Sequence, residues 1–125
     1  MDSHTTDMHH IESYTQRECV RWFNFQFPKF RGLLFAIPNG GKRNAREAAI
    51  MKAEGVVPGV SDLIFLRAND TYNTLCIEMK AEKGRQSELQ KQWQYIAENA
   101  NNKYVVCRSF EEFRDTIINY LNNHI

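Results

Sequence analysis

The spacing of apolar residues changes period several times along the chain, and each change marks an element. From about His10 to Phe25, Glu12, Gln16, Cys19, Val20 and Phe23 recur on one face at 3.6-residue spacing, which predicts a helix. That helix turns a carboxylate and an amide inward along with its apolar residues. "FPKFRG" breaks it. "GLLFAI" (32–37) reads as a short strand, and "PNGGKR" as a turn built from residues that tolerate positive φ. In "NAREAAIMKAEG", Asn44 is placed to cap a helix, Ala45, Ala48, Ala49 and Lys52 share one side, and Gly55 ends it. After the loop "VVPGVS", the runs "DLIFL" (62–66) and "TLCIEMK" (74–80) form two strands joined by the turn "RANDTYN", an antiparallel hairpin. Ser87-x-x-Gln90 is a capping box opening a helix to about Ala100, with Leu89, Trp93, Ile96, Ala97 and Ala100 as its apolar face. "KYVVCR" (103–108) is a fourth strand. Ser109-x-x-Glu112 caps a last helix with Phe110, Phe113, Ile117, Tyr120 and Leu121 inward.

Strands apolar on both faces need cover on both sides. The pattern therefore predicts an α/β fold, a three-layer α/β/α sandwich around a mixed sheet. The 62–80 hairpin is its antiparallel part, and a helical crossover leads to strand 103–108. A chain of 125 residues suits one core, with residues 1–9 expected as a flexible leader and 10–125 as the domain. With 42% apolar and 25% charged residues, the composition is that of a globular domain. No run approaches a membrane span, and "MDSHTTDMHHIES" lacks the basic and apolar regions of a secretory signal. The expected location is cytoplasmic. Cys19, Cys76 and Cys107 are widely spaced and set among apolar residues, so they are expected as reduced, buried thiols. His9 and His10 have no Cys or third His at zinc spacing.

A net charge of +1 carries no global signature of nucleic-acid binding. Two local segments are basic, 42–54 with Lys42, Arg43, Arg46 and Lys52, and 80–91 with Lys80, Lys83, Arg85 and Lys91. Between them, "TLCIEMK" ends an apolar strand with Glu78 and Lys80 on the same face. Asp62 opens the preceding strand, so the hairpin brings Asp62 and Glu78 to one rim with Lys80 beside them. Two carboxylates about 5 Å apart repel by about 3 kcal/mol at an effective dielectric of about 20. A divalent cation removes that cost, and Mg²⁺ commonly uses one or two carboxylates plus phosphate oxygens. On residue types alone, a metal site and a structural ion pair are equally compatible with the trio.

The spacing Asp62…Glu78-Met79-Lys80 resembles the core of the PD-(D/E)xK nuclease superfamily. More specifically, "IPNGGKR", "AAIMKAEGVVPGVSDLIFL", "IEMKAEKGRQSELQKQW" and the leading Glu12-x-x-x-Gln16 resemble, in order and over about residues 12–121, the virus-type replication-repair nuclease (VRR-NUC) domain of stand-alone phage and bacterial type. One departure is Ser61, where the family usually has proline before the aspartate. The resemblance implies a restriction-endonuclease-like core and a Mg²⁺ or Mn²⁺ cofactor. It implies Asp62, Glu78, the Met79 backbone carbonyl and Glu12 as metal ligands. Lys80 would position or activate the attacking water, and Gln90 is a motif residue one helical turn behind the site. Asn39, Gly40, Gly41, Lys42, Arg43, Arg46, Lys83 and Arg85 are candidate contacts to the nucleic-acid backbone. The implied activity is a structure-selective endonuclease hydrolysing DNA phosphodiesters, a homodimer acting on four-way (Holliday) junctions in DNA repair, with no organic cofactor and no membrane partner. Flap, nicked or foreign duplex DNA as substrate, a non-catalytic DNA-binding module, and a component that cuts only when docked on a partner protein are the alternatives.

Overall fold

The computed structural model describes residues 3–38 and 43–122 and, for residues 3–7 and 9, the backbone alone. The elements are α1 (Ser3–Gln26), a single 3-10 turn (Pro28–Phe30), β1 (Leu34–Ala36), α2 (Ala45–Ala53), β2 (Leu63–Phe65), β3 (Leu75–Met79), α3 (Glu88–Asn99), β4 (Lys103–Cys107) and α4 (Phe110–Leu121). The four strands form one sheet in the order β1-β2-β3-β4. β1 and β2 pair antiparallel, as do β2 and β3, while β4 joins β3 in parallel. The α/β/α sandwich and its mixed sheet are those expected from the pattern.

β3 is central, and all five of its residues are buried. Its alternation sorts them between two layers. Leu75, Ile77 and Met79 join Cys19 and Phe23 of α1 and Phe113, Ile117 and Tyr120 of α4 in the main core. Cys76 faces the other way, into a smaller cluster with Ala97 of α3 and Tyr104 of β4, edged by Ile64, Trp93 and Val106. Thus α1 and α4 cover one face and α3 the other. The three cysteines are free and buried, and burial pushes the Cys19 thiol up to about 12 and those of Cys76 and Cys107 to about 11. They are packing residues and not reactive thiols.

Three details differ from the pattern. α1 begins at Ser3 and so runs through the stretch expected as a flexible leader; residues 3–9 contain no proline or glycine to stop a helix. On α3, Leu89 and Ile96 are 49% and 60% exposed, and Ala100 is also exposed. The α3-facing side of the sheet is only partly apolar, because β3 presents Glu78 there, and the helix needs only Trp93 and Ala97 to cover the rest. α2 contributes no buried residue. It is held by its Asn44 cap, whose side chain accepts the Glu47 N–H at 2.8 Å.

Candidate active site

The site grows from the β2–β3 register. Leu63 faces Ile77, so one residue outward Asp62 stands opposite Glu78. Directly paired residues of antiparallel strands share a face, here the α3 side. Asp62 is fixed by both backbone and side chain. Its carbonyl accepts the Ile37 N–H at 2.8 Å, and its Oδ2 accepts the Met79 N–H at 2.7 Å. The preceding Ser61 is fully buried, and its hydroxyl donates to the Leu63 carbonyl at 3.1 Å. That bond shapes the entry to β2 where the family more often has proline.

Glu78 is 2% exposed. Its Oε2 accepts the Gln90 Nε2 at 3.0 Å, and the Lys80 Nζ lies 3.8 Å from the same oxygen. Among the described residues, its buried Oε1 has no hydrogen-bond partner. Burial pushes the Glu78 carboxyl up to about 8; the Asp62 carboxylate adds to this, Lys80 opposes it, and Glu12 raises it further. Two carboxylates can hydrogen-bond only by sharing a proton, and Asp62 acts on Glu78 both as a like charge and as that proton-sharing neighbour. Tyr104, on the neighbouring strand, has its hydroxyl pKa raised by burial and then by the Glu78 charge. Gln86 donates to that hydroxyl at 3.2 Å and to the Gln94 side-chain oxygen at 2.9 Å, so a layer of amides borders the acidic pair.

Gln90 serves two elements at once. Its Oε1 accepts the Ser87 N–H at 2.8 Å and its own N–H donates to the Ser87 Oγ at 3.2 Å, completing a capping box. The remaining Nε2 is then aimed at Glu78, so the fold of the α3 terminus orients the carboxylate.

The donor set suits a hard divalent cation. A buried carboxylate oxygen without a donor, beside a second carboxylate, is stabilised by a metal that prefers oxygen ligands. The trio of Asp62, Glu78 and Lys80 is brought together on one face. Glu12, partly buried on α1, is near enough for its charge to act on Glu78. Among the described residues no three His, Cys, Asp or Glu side chains converge as a ready metal cage, so Glu12 does not join the acidic pair in a closed three-ligand set. Arg43, Arg46, Lys83 and Arg85 are exposed. Asn39, Gly40, Gly41 and Lys42 lie outside the described residues, although the strand leading to them passes Asp62 through the Ile37 contact.

Sequence reasoning missed Gly59. Its φ is +87°, and a Cβ there would meet the Leu89 carbonyl oxygen at 2.4 Å and the Gln90 nitrogen at 3.0 Å. The loop that delivers Asp62 is thereby laid directly on the start of α3. The Pro58-Gly59 dipeptide is a turn signal that could have drawn attention to it. Nothing in the pattern singled out Tyr104 or Gln86, whose roles depend on the β3–β4 pairing.

Known proteins share this architecture. The VRR-NUC domain family model matches residues 4–111. A solved structure described as a VRR_NUC domain protein superposes with a TM-score of 0.75 at 25% identity, covering 89% of this chain and 88% of that one. No curated protein matches significantly. The family is one of nucleases. The match spans the acidic pair, Lys80 and Gln90 together with every strand that positions them, and the chain belongs to the VRR-NUC domain family.

Proposed function

We propose that the protein is a Mg²⁺- or Mn²⁺-dependent, structure-selective DNA endonuclease that works as a homodimer on four-way junctions. The observation that carries the metal dependence is the Glu78 Oε1, a buried carboxylate oxygen with no hydrogen-bond donor among the described residues, beside Asp62. Asp62, Glu78 and the Met79 backbone carbonyl are the ligands in this reading, with Glu12 serving a second ion or ordering water. Bound there, the cation supplies a Lewis acid for a phosphoryl oxygen and lowers the pKa of a coordinated water.

The chain's own residues do the rest. The Met79 N–H fixes one Asp62 oxygen, which leaves the other for binding. Gln90 fixes the Glu78 Oε2, which leaves Oε1 for binding. Lys80, with its side chain only 12% exposed, holds a positive charge in a site of low dielectric. There it opposes the negative charge that grows on the attacked phosphate. The exposed Arg43, Arg46, Lys83 and Arg85 hold the DNA backbone without reading sequence. A dimer carrying two such sites about a twofold axis matches a substrate of twofold symmetry.

The test is cleavage of a labelled four-way junction and of linear duplex with Mg²⁺, Mn²⁺ or EDTA, beside Asp62→Ala and Lys80→Ala. Metal-dependent cutting of the junction, reduced at least about 100-fold in both variants, is expected. Equal cutting of both substrates removes junction selectivity. Variants as active as the wild type remove the site.

A further inference from the structure

Immediately after Lys80 the chain makes a tight turn, Ala81 to Arg85, before α3 begins. Arg108, the first residue beyond β4, reaches into this turn. Its Nη1 donates to the carbonyls of Ala81 at 2.9 Å, Glu82 at 3.2 Å and Gly84 at 2.6 Å. The Gly84 N–H closes the turn on the Ala81 carbonyl at 2.9 Å. Arg108 is anchored in its own right, its N–H donating to the Glu112 carboxylate at 2.7 Å at the start of α4. Arg108 lines one surface pocket with Tyr14, Thr15 and Glu18 of α1, and a Cβ at Gly84 would meet Met8 of α1 at 3.4 Å. The guanidinium therefore pulls three carbonyls of the turn toward the α1–α4 layer, whereas Glu78 and Lys80 lie on the α3 side of the sheet.

Peptide geometry sets the direction of the turn's N–H groups. In a trans peptide the C=O of one residue and the N–H of the next point in opposite directions, and there is no cis bond here. Three carbonyls turned to Arg108 mean that the N–H groups of Glu82, Lys83 and Arg85 point away from it. None of these three makes a hydrogen bond among the described residues. The Lys83 and Arg85 side chains extend from the same exposed stretch. Several backbone N–H groups directed outward from one turn form an anion-binding concavity. Its occupant on a DNA-cutting protein is a backbone phosphate next to the scissile one, since only Lys80 separates the turn from β3.

The geometry points to Arg108 as a positioning residue: by holding the Ala81–Arg85 turn with its carbonyls inward, it presents three backbone N–H groups, Lys83 and Arg85 to a DNA phosphate. This rests on the reading of the chain as a nuclease acting on DNA and adds to it a backbone clamp with its lock. All three contacts are made by Nη1, which lies one bond farther from the backbone than a lysine Nζ and is held on a planar, pre-organised group, so an ammonium on a shorter flexible stem does not reach the same point. Neither the hydropathy pattern nor the motif draws attention to Arg108, because it meets the turn only through the parallel β3–β4 pairing.

Arg108→Lys keeps the charge and loses the reach of Nη1; Arg108→Gln loses both. The free proteins are digested with trypsin, which cuts after Lys83 and Arg85, and in parallel undigested protein is titrated into a labelled four-way junction with Ca²⁺ present. In both variants cleavage after Lys83 and Arg85 is faster, as local opening of the turn requires. Junction Kd, and KM with Mg²⁺, rise about tenfold, the worth of one lost charge-assisted hydrogen bond, with kcat within about twofold. A lysine variant indistinguishable from wild type in digestion and binding overturns the lock. A turn that opens with Kd unchanged overturns the phosphate role. Wild-type protein that binds no four-way junction overturns the nuclease reading and the phosphate role together, and digestion still decides whether Arg108 holds the turn.

Discussion

The two oxygens of Glu78 are in opposite situations: Oε2 has a Gln90 amide at 3.0 Å and Lys80 nearby, while Oε1 is buried without a donor among the described residues. A lone buried charge is expensive, and the folded carboxyl answers by holding its proton up to about 8, against 4.5 in its ordinary state. Between those two values the metal-free folded state binds more protons than the unfolded one, so stability is greatest below the lower value and falls as pH rises through the upper. Thermal melts in EDTA are therefore expected to show a falling melting temperature from about pH 5 to pH 8. At the proposed metal site, Mg²⁺ or Mn²⁺ is expected to restore it, with proton release and tighter binding as pH rises. Glu78→Gln replaces one oxygen of the buried carboxyl beside Asp62 with an uncharged amide donor. It should raise metal-free stability near pH 8 by on the order of 1–3 kcal/mol while abolishing cleavage, the usual exchange at a functional site. A melting profile that keeps its slope in this variant assigns the pH dependence to another group.

At the scale of elements, the site is a junction between a loop and a helix start. Gly59 allows the Asp62 loop to lie on the backbone of α3 at Leu89 and Gln90. Gly59→Ala meets both a steric conflict and an unfavourable φ. We expect a loss of about 2–4 kcal/mol by chemical denaturation, and activity reduced even where the protein is folded. The capping box permits a cleaner separation. Ser87→Ala removes the cap and should cost about 1 kcal/mol, with cleavage kept near wild type. Gln90→Ala removes the same box and also the donor to Glu78, so it should lose a similar stability and most of the activity. Equal activities in the two would mean that Gln90 acts only as a cap.

For the whole molecule, the net charge of +1 gives no broad attraction to DNA, so in the proposed reading binding relies on local basic clusters and on the number of sites engaged at once. Within that proposal, dimerisation is the largest lever available. Sedimentation equilibrium should report twice the 14.7 kDa chain mass, and dilution to monomer should lower junction affinity more than duplex affinity. A chain that stays monomeric while resolving junctions would place the substrate selectivity within a single site. No helix among the described residues is long and apolar enough to cross a membrane.

The order of elements, the faces of β3 and α4, the burial of the cysteines and the meeting of Asp62 with Glu78 were legible in the sequence. Each arises from local periodicity or from a hairpin short enough to fix its own register. The Ser87–Gln90 box was equally legible, because capping is chemistry between residues three apart. Other features needed the fold. Leu89 and Ile96 look apolar enough for a core, yet whether a helix face is covered depends on what the sheet opposite offers. Gly59, Tyr104 and Arg108 meet the segments that build or flank the site at contacts between parts of the chain far apart in sequence, set by loop packing and by the parallel β3–β4 pair. The sequence by itself determined which charged groups share a strand face, since alternation is a property of the backbone. Only the tertiary structure decided that Glu78 is deprived of water and that its Oε1 has no donor among the described residues, because desolvation arises from neighbours brought in from elsewhere in the chain.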